Sequence, residues 1–381
     1  MRTLHVLPSL AESDGGPPAA LRSMEQALAA VGVKVEVAST CATDLSTEMT
    51  TIEHDVRGGR RRHLFRRDTT FYKVSIPFVR WMLAHVREYD LVHVHALFSF
   101  TSVVAAWAAR RATVPYVIRP LGALNAYGMR KHRPLFKRLS FTLLEGSLLR
   151  DAAAVHFTSD AERAEAEGLG APMRSVVIQL ALPDEAFIAP LKAEVDQHLL
   201  VFLSRLDPKK NVEGLLDAVA RVAAVRPALR LAVAGAGENA YEQALKAKAQ
   251  SLGIAAHVEW LGDVRGEAKA ELLSRAAAFA LPSYSENFGI AVAEALAAGV
   301  PCVVSRGVAL ARLVEQAGAG VVTGTDGASI AAGIDAVLGD AQRRSRMGEA
   351  ARDVARREFS SAVMGQRLRA LYERVLARPA S

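Results

Sequence analysis

Short apolar runs alternate with longer amphipathic stretches along almost the whole chain, and the alternation comes in two series. The first predicts strands over Thr3–Leu7, Lys34–Ala38, Leu91–His95, Tyr116–Arg119 and Ala154–Thr158. Between them lie helical patterns from Pro17 to Val31, from Thr101 to Arg111 and along a basic stretch from Pro134 to Leu149. Strand–helix–strand alternation folds as a parallel sheet with helices on both faces, and runs that are apolar at every position suit strands buried on both sides. The pattern restarts beyond Leu182-Pro183 and Ala189-Pro190, whose prolines break the periodicity and mark a connector. The second series has strands over Leu199–Leu203, Arg230–Ala234, Val258–Leu261, Ala278–Pro282 and Pro301–Ser305, with helices over Val212–Val225, Ala240–Leu252, Gly266–Arg275 and Ile290–Ala298. A chain of 381 residues exceeds what one core sustains. The expectation is therefore α/β, with two doubly wound Rossmann-like domains, 1–185 and 186–359, and a last helix over 360–381 that docks back on the first. Such sheets bind ligands at the carboxyl ends of their strands, here in a cleft between the domains.

With 51% hydrophobic and 23% charged residues the chain reads as globular and soluble. Its net charge of +7 favours an anionic partner without choosing among a nucleotide, a nucleic acid and a membrane. No nucleic-acid recognition motif accompanies that charge, so no such partner is expected. Cys41 and Cys302 stand far apart and suggest neither a disulfide nor a cysteine metal site. The amino terminus passes straight from an apolar run into Gly and Pro, unlike a secretory signal, and no run is long enough to span a bilayer. A cytoplasmic protein is expected. Two basic clusters, Arg57–Arg67 and Arg130–Arg138, interleave cations with apolar residues. They read as solvated loops or as surfaces that rest on anionic lipid at the inner face of the cell membrane.

Five segments carry chemistry. Ser283 to Glu294 leads from a strand into a helix, whose amino-terminal N–H groups suit a diphosphate. Gly289 lets the backbone come close, and Glu286 and Glu294 offer acceptors to sugar and ribose hydroxyls. Leu203 to Asn211 follows the first strand of the second domain and holds Arg205, Lys209 and Lys210, of which two fixed cations could neutralise a departing diphosphate. Gly235 and Gly237 permit a tight turn, but Ala240 stands where a dinucleotide fingerprint needs its third glycine. In the first domain Gly15 and Gly16 join a strand to a helix, either as a plain turn or as a phosphate-approaching loop. His93 and His95 close a strand and are read as pointing to opposite faces, so that they cannot share a metal ion and only one reaches the cleft. Read alone, the loop segments also fit solvated loops, helix entries or plain turns, and the histidines a merely structural role.

Taken together they resemble the family 4 retaining glycosyltransferases of GT-B fold. Glu286, Asn287, Phe288, Gly289 and Glu294 match that family's E-x(7)-E pair around an N-F/Y-G step, and Ser204 to Asn211 matches its G/S-R-L-x-x-x-K-G/N element. The resemblance implies that Glu286 binds donor-sugar hydroxyls, that Phe288, Gly289 and Ile290 offer amides, and that Glu294 holds the ribose. It places Arg205 and Lys210 on the donor phosphates, Gly235, Gly237 and Leu261 around the nucleotide, and Gly15 and Gly16 on a donor-facing loop. Asp90 to His95 matches D-x-V-H-x-H, which puts His95 near the acceptor. Arg119-Pro-Leu-Gly122 departs from the family, with Leu121 where relatives carry histidine, leaving Arg119 and Gly122 as acceptor-side candidates. The implied reaction moves a hexose from a UDP- or GDP-sugar to a hydroxyl of a saccharide or lipid-linked saccharide, without a metal or other cofactor, in polysaccharide or glycolipid assembly. A nucleotide-sugar epimerase, a phosphorolytic enzyme and a non-catalytic sensor are the competing readings.

Overall fold

The computed structural model of the chain describes residues 1–11, 16–41, 49–54, 60–69, 72–124, 140–187 and 194–378. It divides into two compact units, Met1–Ala181 with Ser361–Ser381, and Leu182–Ser360.

The first unit is built on strands β1 (Arg2–Leu7), β2 (Lys34–Cys41), β3 (Met49–His54), β4 (Arg60–Arg66), β5 (Leu91–His95), β6 (Tyr116–Arg119), β7 (Ala154–Phe157) and β8 (Ser175–Val177). They form one sheet in the order β3-β4-β2-β1-β5-β6-β7-β8. All neighbours are parallel except β3, which runs antiparallel to β4. The sheet is thus mixed, and the hairpin of β3 and β4 lies where sequence reading placed only a basic cluster. In β4 the period-two pattern buries His63 and Phe65 while Arg62, Leu64 and Arg66 hold the alternate positions, which hides the strand among arginines. One face of the sheet packs on Phe78, Met82, Ala105 and Ala109. The other packs on the helix Gly16–Ala30, through Leu21, Met24 and Leu28, and on the last helix, Ser361–Leu376, through Met364, Leu368 and Tyr372. Those two helices touch closely at Gly365, where a Cβ would overlap the Ala27 carbonyl oxygen.

The second unit holds β9 (Asp196–Leu203), β10 (Arg230–Ala234), β11 (Val258–Gly262), β12 (Ala276–Leu281), β13 (Cys302–Ser305) and β14 (Gly320–Thr323). Its order is β11-β10-β9-β12-β13-β14, with every pair parallel. This is the doubly wound arrangement in which the strand order reverses between the first and fourth strands. The loops that leave β9 and β12 flank that reversal, and a ligand site belongs there.

Candidate active site

The two loops at the switch point of the second unit are tied to each other by backbone and side-chain bonds. Asp207 caps the short turn Pro208–Lys210, its Oδ1 accepting from the Lys209 N–H at 2.9 Å. Asn211 then takes a left-handed backbone, φ +56°, and caps the helix Val212–Ala223 through Oδ1. Its Nδ2 donates to the Pro282 carbonyl at 3.2 Å and to the Thr325 carbonyl at 2.8 Å, and the Tyr284 N–H donates to the Lys209 carbonyl at 2.9 Å. The loop after β12 is fixed again when the Glu286 N–H donates to the Gly307 carbonyl and the Glu286 carbonyl accepts from Ala309. These ties place the buried Lys210 ammonium directly on Glu286 Oε2 as an ion pair.

Beyond Glu286 the chain turns at Gly289, φ +85°, into the helix Ile290–Ala297. A Cβ there would stand 3.3 Å from Glu286 Cγ, so glycine serves both the left-handed turn and the closeness of the carboxylate. Phe288 is buried against Phe359, with ring centroids 5.8 Å apart. It anchors the turn from below rather than facing a ligand. Ile290 is half exposed at the helix entry, and Asn287 stands beside Phe288 on the loop. Glu294, one turn into that helix, accepts from Lys269 Nζ at 2.6 Å. Sequence reading missed Lys269, which no motif flags, and gave no role to Asn211, although it closes the matched motif just before a helix, where Asn is a favoured cap.

Gly235 and Gly237 lie where the loop after β10 runs alongside the Ser204–Leu206 backbone. A Cβ on Gly235 would overlap the Ser204 carbonyl oxygen, and one on Gly237 the Leu206 carbonyl oxygen. The two glycines therefore answer first to neighbouring backbone. Gly235 also lines a cavity of about 310 Å3 with Ser204, the exposed Arg205, Asp263 and Arg265, at the carboxyl ends of β9 and β10. Leu261, in β11, is half-buried next to that edge. Trp260, one residue before it, is also half-buried, and the Lys246 ammonium lies 6.0 Å from its ring centre.

In the first unit Gly16 opens its helix on the surface with free space around its α-carbon, whereas Gly15 lies outside the described residues. The cluster Arg130–Arg138 is likewise outside them. Of the other basic cluster, Arg62 pairs with the buried Glu25 at 2.6 Å, His63 with Glu36 at 3.1 Å, and Arg67 donates to Thr40 and Pro8. Much of that charge is thus satisfied inside the unit.

The expectation that His93 and His95 face opposite ways is wrong, because residues two apart in a strand share a face. Their rings stack at 4.4 Å, and His5, in register with His93 on β1, completes a buried trio whose ligand-competent nitrogens lie within 4.8 Å of one another. The geometric objection to a shared ion therefore falls. Arg119, in register with His95, is also buried, its Nη1 donating to Met24 Sδ at 3.4 Å. Burial lowers the Arg119 pKa to about 10 against the opposing effect of Glu162 and Tyr372. Burial and the nearby Arg119 cation hold His95 well below its ordinary value, with His5 contributing too. Gly122, φ +73°, donates to Glu162 Oε1 at 2.7 Å, while the other Glu162 oxygen takes both the N–H and the hydroxyl of Thr158. Three non-glycine residues beside these positions have positive φ: Ala96 at +90°, Phe98 at +55° and Leu121 at +59°. Strained backbone of this kind gathers at ligand sites.

Comparison with known proteins agrees with this fold. Residues 184–354 match the profile of the glycosyl transferases group 1, and residues 15–180 that of the glycosyl transferase 4-like domain. A GDP-mannose:cellobiosyl-diphosphopolyprenol alpha-mannosyltransferase of Komagataeibacter xylinus is 28% identical over 79% of this chain and 76% of its own length. A phosphatidyl-myo-inositol mannosyltransferase of Mycobacterium leprae is 26% identical over 98% of this chain and 97% of its own. Among solved structures, a sucrose-phosphate synthase from Thermosynechococcus elongatus superposes with a TM-score of 0.75 at 20% identity, covering 99% of each chain. An Anabaena protein in complex with UDP gives 0.75 at 18% identity over 98% of this chain and all of its own. The fold is GT-B and the relatives are named as transferases: this chain belongs to the family 4 glycosyltransferases, a family of enzymes.

Proposed function

We propose that the enzyme moves a hexose from a nucleoside-diphosphate sugar, a GDP-sugar before a UDP-sugar, to a hydroxyl of a lipid-linked acceptor with retention of the α-configuration. The observation that carries this reading is the Lys210–Glu286 pair, held by Asn211 at a switch point beside a helix amino terminus. When donor enters, the Lys210 ammonium and Arg205 lie where negative charge builds on the leaving diphosphate, and Glu286 is released to accept from sugar hydroxyls. With two cations in that role, the reaction needs no divalent ion. Glu294, oriented by Lys269, accepts from the ribose. No pair of carboxylates with an acid/base division of labour stands among the described residues of this loop, and a front-face course, in which the leaving phosphate takes the acceptor's proton, accounts for retention.

The preference for GDP rests on reading Asp263, which pairs with Arg265 in the free protein, as the group that receives the base, because guanine offers two adjacent N–H donors to one carboxylate and uracil offers one. Of the relatives named above, one is named for GDP-mannose and a cellobiosyl-diphosphopolyprenol acceptor, and another for mannosyl transfer to phosphatidyl-myo-inositol. None of the helices among the described residues is long and apolar enough to cross a membrane. The enzyme is proposed to work in the cytoplasm and to reach such an acceptor at the inner membrane face through exposed cations, as a peripheral protein in glycolipid or polysaccharide assembly.

The test is acceptor-dependent release of nucleoside diphosphate, with GDP-mannose, GDP-glucose and UDP-glucose as donors, polyprenol-linked and inositol-linked lipids as acceptors, and EDTA present in parallel. An α-linked product formed from a GDP-sugar in EDTA is the expected outcome. A protein whose thermal stability is raised by neither GDP nor UDP lacks the donor site.

A further inference from the structure

Behind β1, β5 and β7 of the first unit lies a run of five buried polar side chains. His156 Nε2 is 2.9 Å from the Ile178 carbonyl oxygen, and its Nδ1 is 3.5 Å from His93 Nε2. His93 Nδ1 is 2.7 Å from the Tyr372 hydroxyl, which is 3.2 Å from His5 Nε2. His5 Nδ1 is 3.1 Å from His95 Nε2. All four imidazoles and the tyrosine are 0–1% exposed.

The direction of every bond follows from one end. A carbonyl oxygen only accepts, so His156 carries its proton on Nε2. A neutral His156 must then accept at Nδ1, which places a proton on His93 Nε2 and leaves His93 Nδ1 to accept from the Tyr372 hydroxyl. The hydroxyl, having donated, accepts from a proton on His5 Nε2. His5 Nδ1 in turn accepts from a proton on His95 Nε2. A second proton on any ring would put a cation beside Arg119 in a medium that already opposes charge. His95 Nδ1 is left as an unprotonated acceptor, and it has no partner among the described residues. Arg119 Nε, a donor only, is the other buried atom here without such a partner. His95 and Arg119 are register partners on adjacent parallel strands, on the face toward the helix Gly16–Ala30. Strands lie about 4.8 Å apart, a span that one oxygen bridges with two bonds of about 2.9 Å.

We propose that His156, His93, Tyr372, His5 and His95 form one polarised hydrogen-bond chain with every imidazole in its Nε2–H form, and that its free end, His95 Nδ1, binds a single neutral hydroxyl group jointly with Arg119 Nε. The hydroxyl donates to His95 and accepts from Arg119. A water molecule and a sugar hydroxyl share this chemistry. The chain fixes the protonation state of His95, so His93, His5 and Tyr372 act as positioning residues for it. The same chain competes with a metal ion for the His5–His93–His95 trio, since five of the six nitrogens already hold hydrogen bonds.

Two-bond 1H–15N correlation spectra of the full chain, labelled at histidine and recorded at pH 7.5, read the tautomers directly and do not depend on any activity. Four neutral Nε2–H imidazoles are expected in the wild type, and Tyr372→Phe, which cuts the chain and frees His5 to carry its proton on Nδ1, should shift the His5 and His93 resonances and let a proton onto His95 Nδ1. In the wild type, a proton on His95 Nδ1, an imidazolium at any of the four, or stoichiometric uptake of Zn2+ that is lost in His95→Gln overturns the proposal, and an unchanged His95 tautomer in Tyr372→Phe overturns the positioning role of Tyr372. Crystals separate the two sources of the hydroxyl. An oxygen within hydrogen-bond distance of His95 Nδ1 and Arg119 Nε in ligand-free crystals identifies water, and one that arrives only with a soaked saccharide identifies a sugar hydroxyl. Absence of an oxygen from both also overturns the proposal, and none of these outcomes bears on whether the enzyme uses a nucleotide sugar.

Discussion

Lys210 does two opposed things at the level of a single residue. In the free protein it neutralises Glu286, and with donor bound the proposed mechanism needs that charge on the diphosphate. Replacement by alanine should therefore lower kcat by about 10²- to 10³-fold, the loss typical of removing one preorganised group that meets developing charge. Steady-state rates with saturating donor check this, and a variant with unchanged kcat assigns the charge to another residue. Lys269 makes the contrasting case. It bonds Glu294, not the reacting centre. Lys269→Met should raise KM for the donor about tenfold, or ~1.4 kcal/mol, with little change in kcat, because ribose contacts are alike in ground and transition states. A donor with 2′-deoxyribose should show a smaller difference between wild type and variant, and an equal one refutes the assignment.

At the level of elements, the loops after β9 and β12 depend on Asn211 and Gly235. Asn211→Ala removes a helix cap worth about 1 kcal/mol, two hydrogen bonds to the Pro282 and Thr325 carbonyls of about 1 kcal/mol each, and strains a left-handed backbone by about 1 kcal/mol more. Urea unfolding should register a loss of about 3–4 kcal/mol, and Asn211→Gly, free of the backbone strain, about 1 kcal/mol less. Gly235→Ala should cost at least ~2 kcal/mol, since the Ser204 carbonyl it would strike belongs to paired backbone. The sequence already pointed to much of this region. Runs apolar at every position revealed the parallel strands, and the Glu286 to Glu294 spacing revealed the helix entry. β4 escaped because its buried positions are a histidine and a phenylalanine set among arginines, which breaks the apolar signal. Lys269 escaped because its meaning comes from a contact 25 residues away. The histidine cluster escaped through a misjudged period: His93 and His95 do share a face, and His5, His156 and Tyr372 join them only through strand order and the return of the last helix.

On the scale of the whole molecule the buried histidines make stability depend on pH. Burial lowers the pKa of His5 and of His156 to about 3, with Arg119 acting in the same direction, from an ordinary value of 6.5. Between those limits the unfolded chain takes up protons that the folded chain refuses, so stability is full above pH 6.5 and is lost as pH falls toward 3. Each such group contributes on the order of 1.4 kcal/mol per pH unit, and two together about 2.7, against a total of about 5–15 kcal/mol for a typical domain. Glu36 acts in a lower window. Burial raises its pKa, but hydrogen bonds from His63, Tyr89 and Arg2 prevail and hold it near 2, so its contribution is present above 4.5 and fades below that. Denaturant titrations followed by circular dichroism should therefore show falling stability from pH 6.5 downward, well before carboxylates titrate. His156→Gln, which keeps an amide donor for the Ile178 carbonyl and cannot be protonated, should flatten that slope by about 1.4 kcal/mol per pH unit even if it lowers stability at neutral pH. If wild type and variant lose stability with equal slope between pH 6.5 and 5, His156 is not a neutral imidazole in the folded protein. The tautomer assignment of the whole chain would then lose its starting point at Ile178.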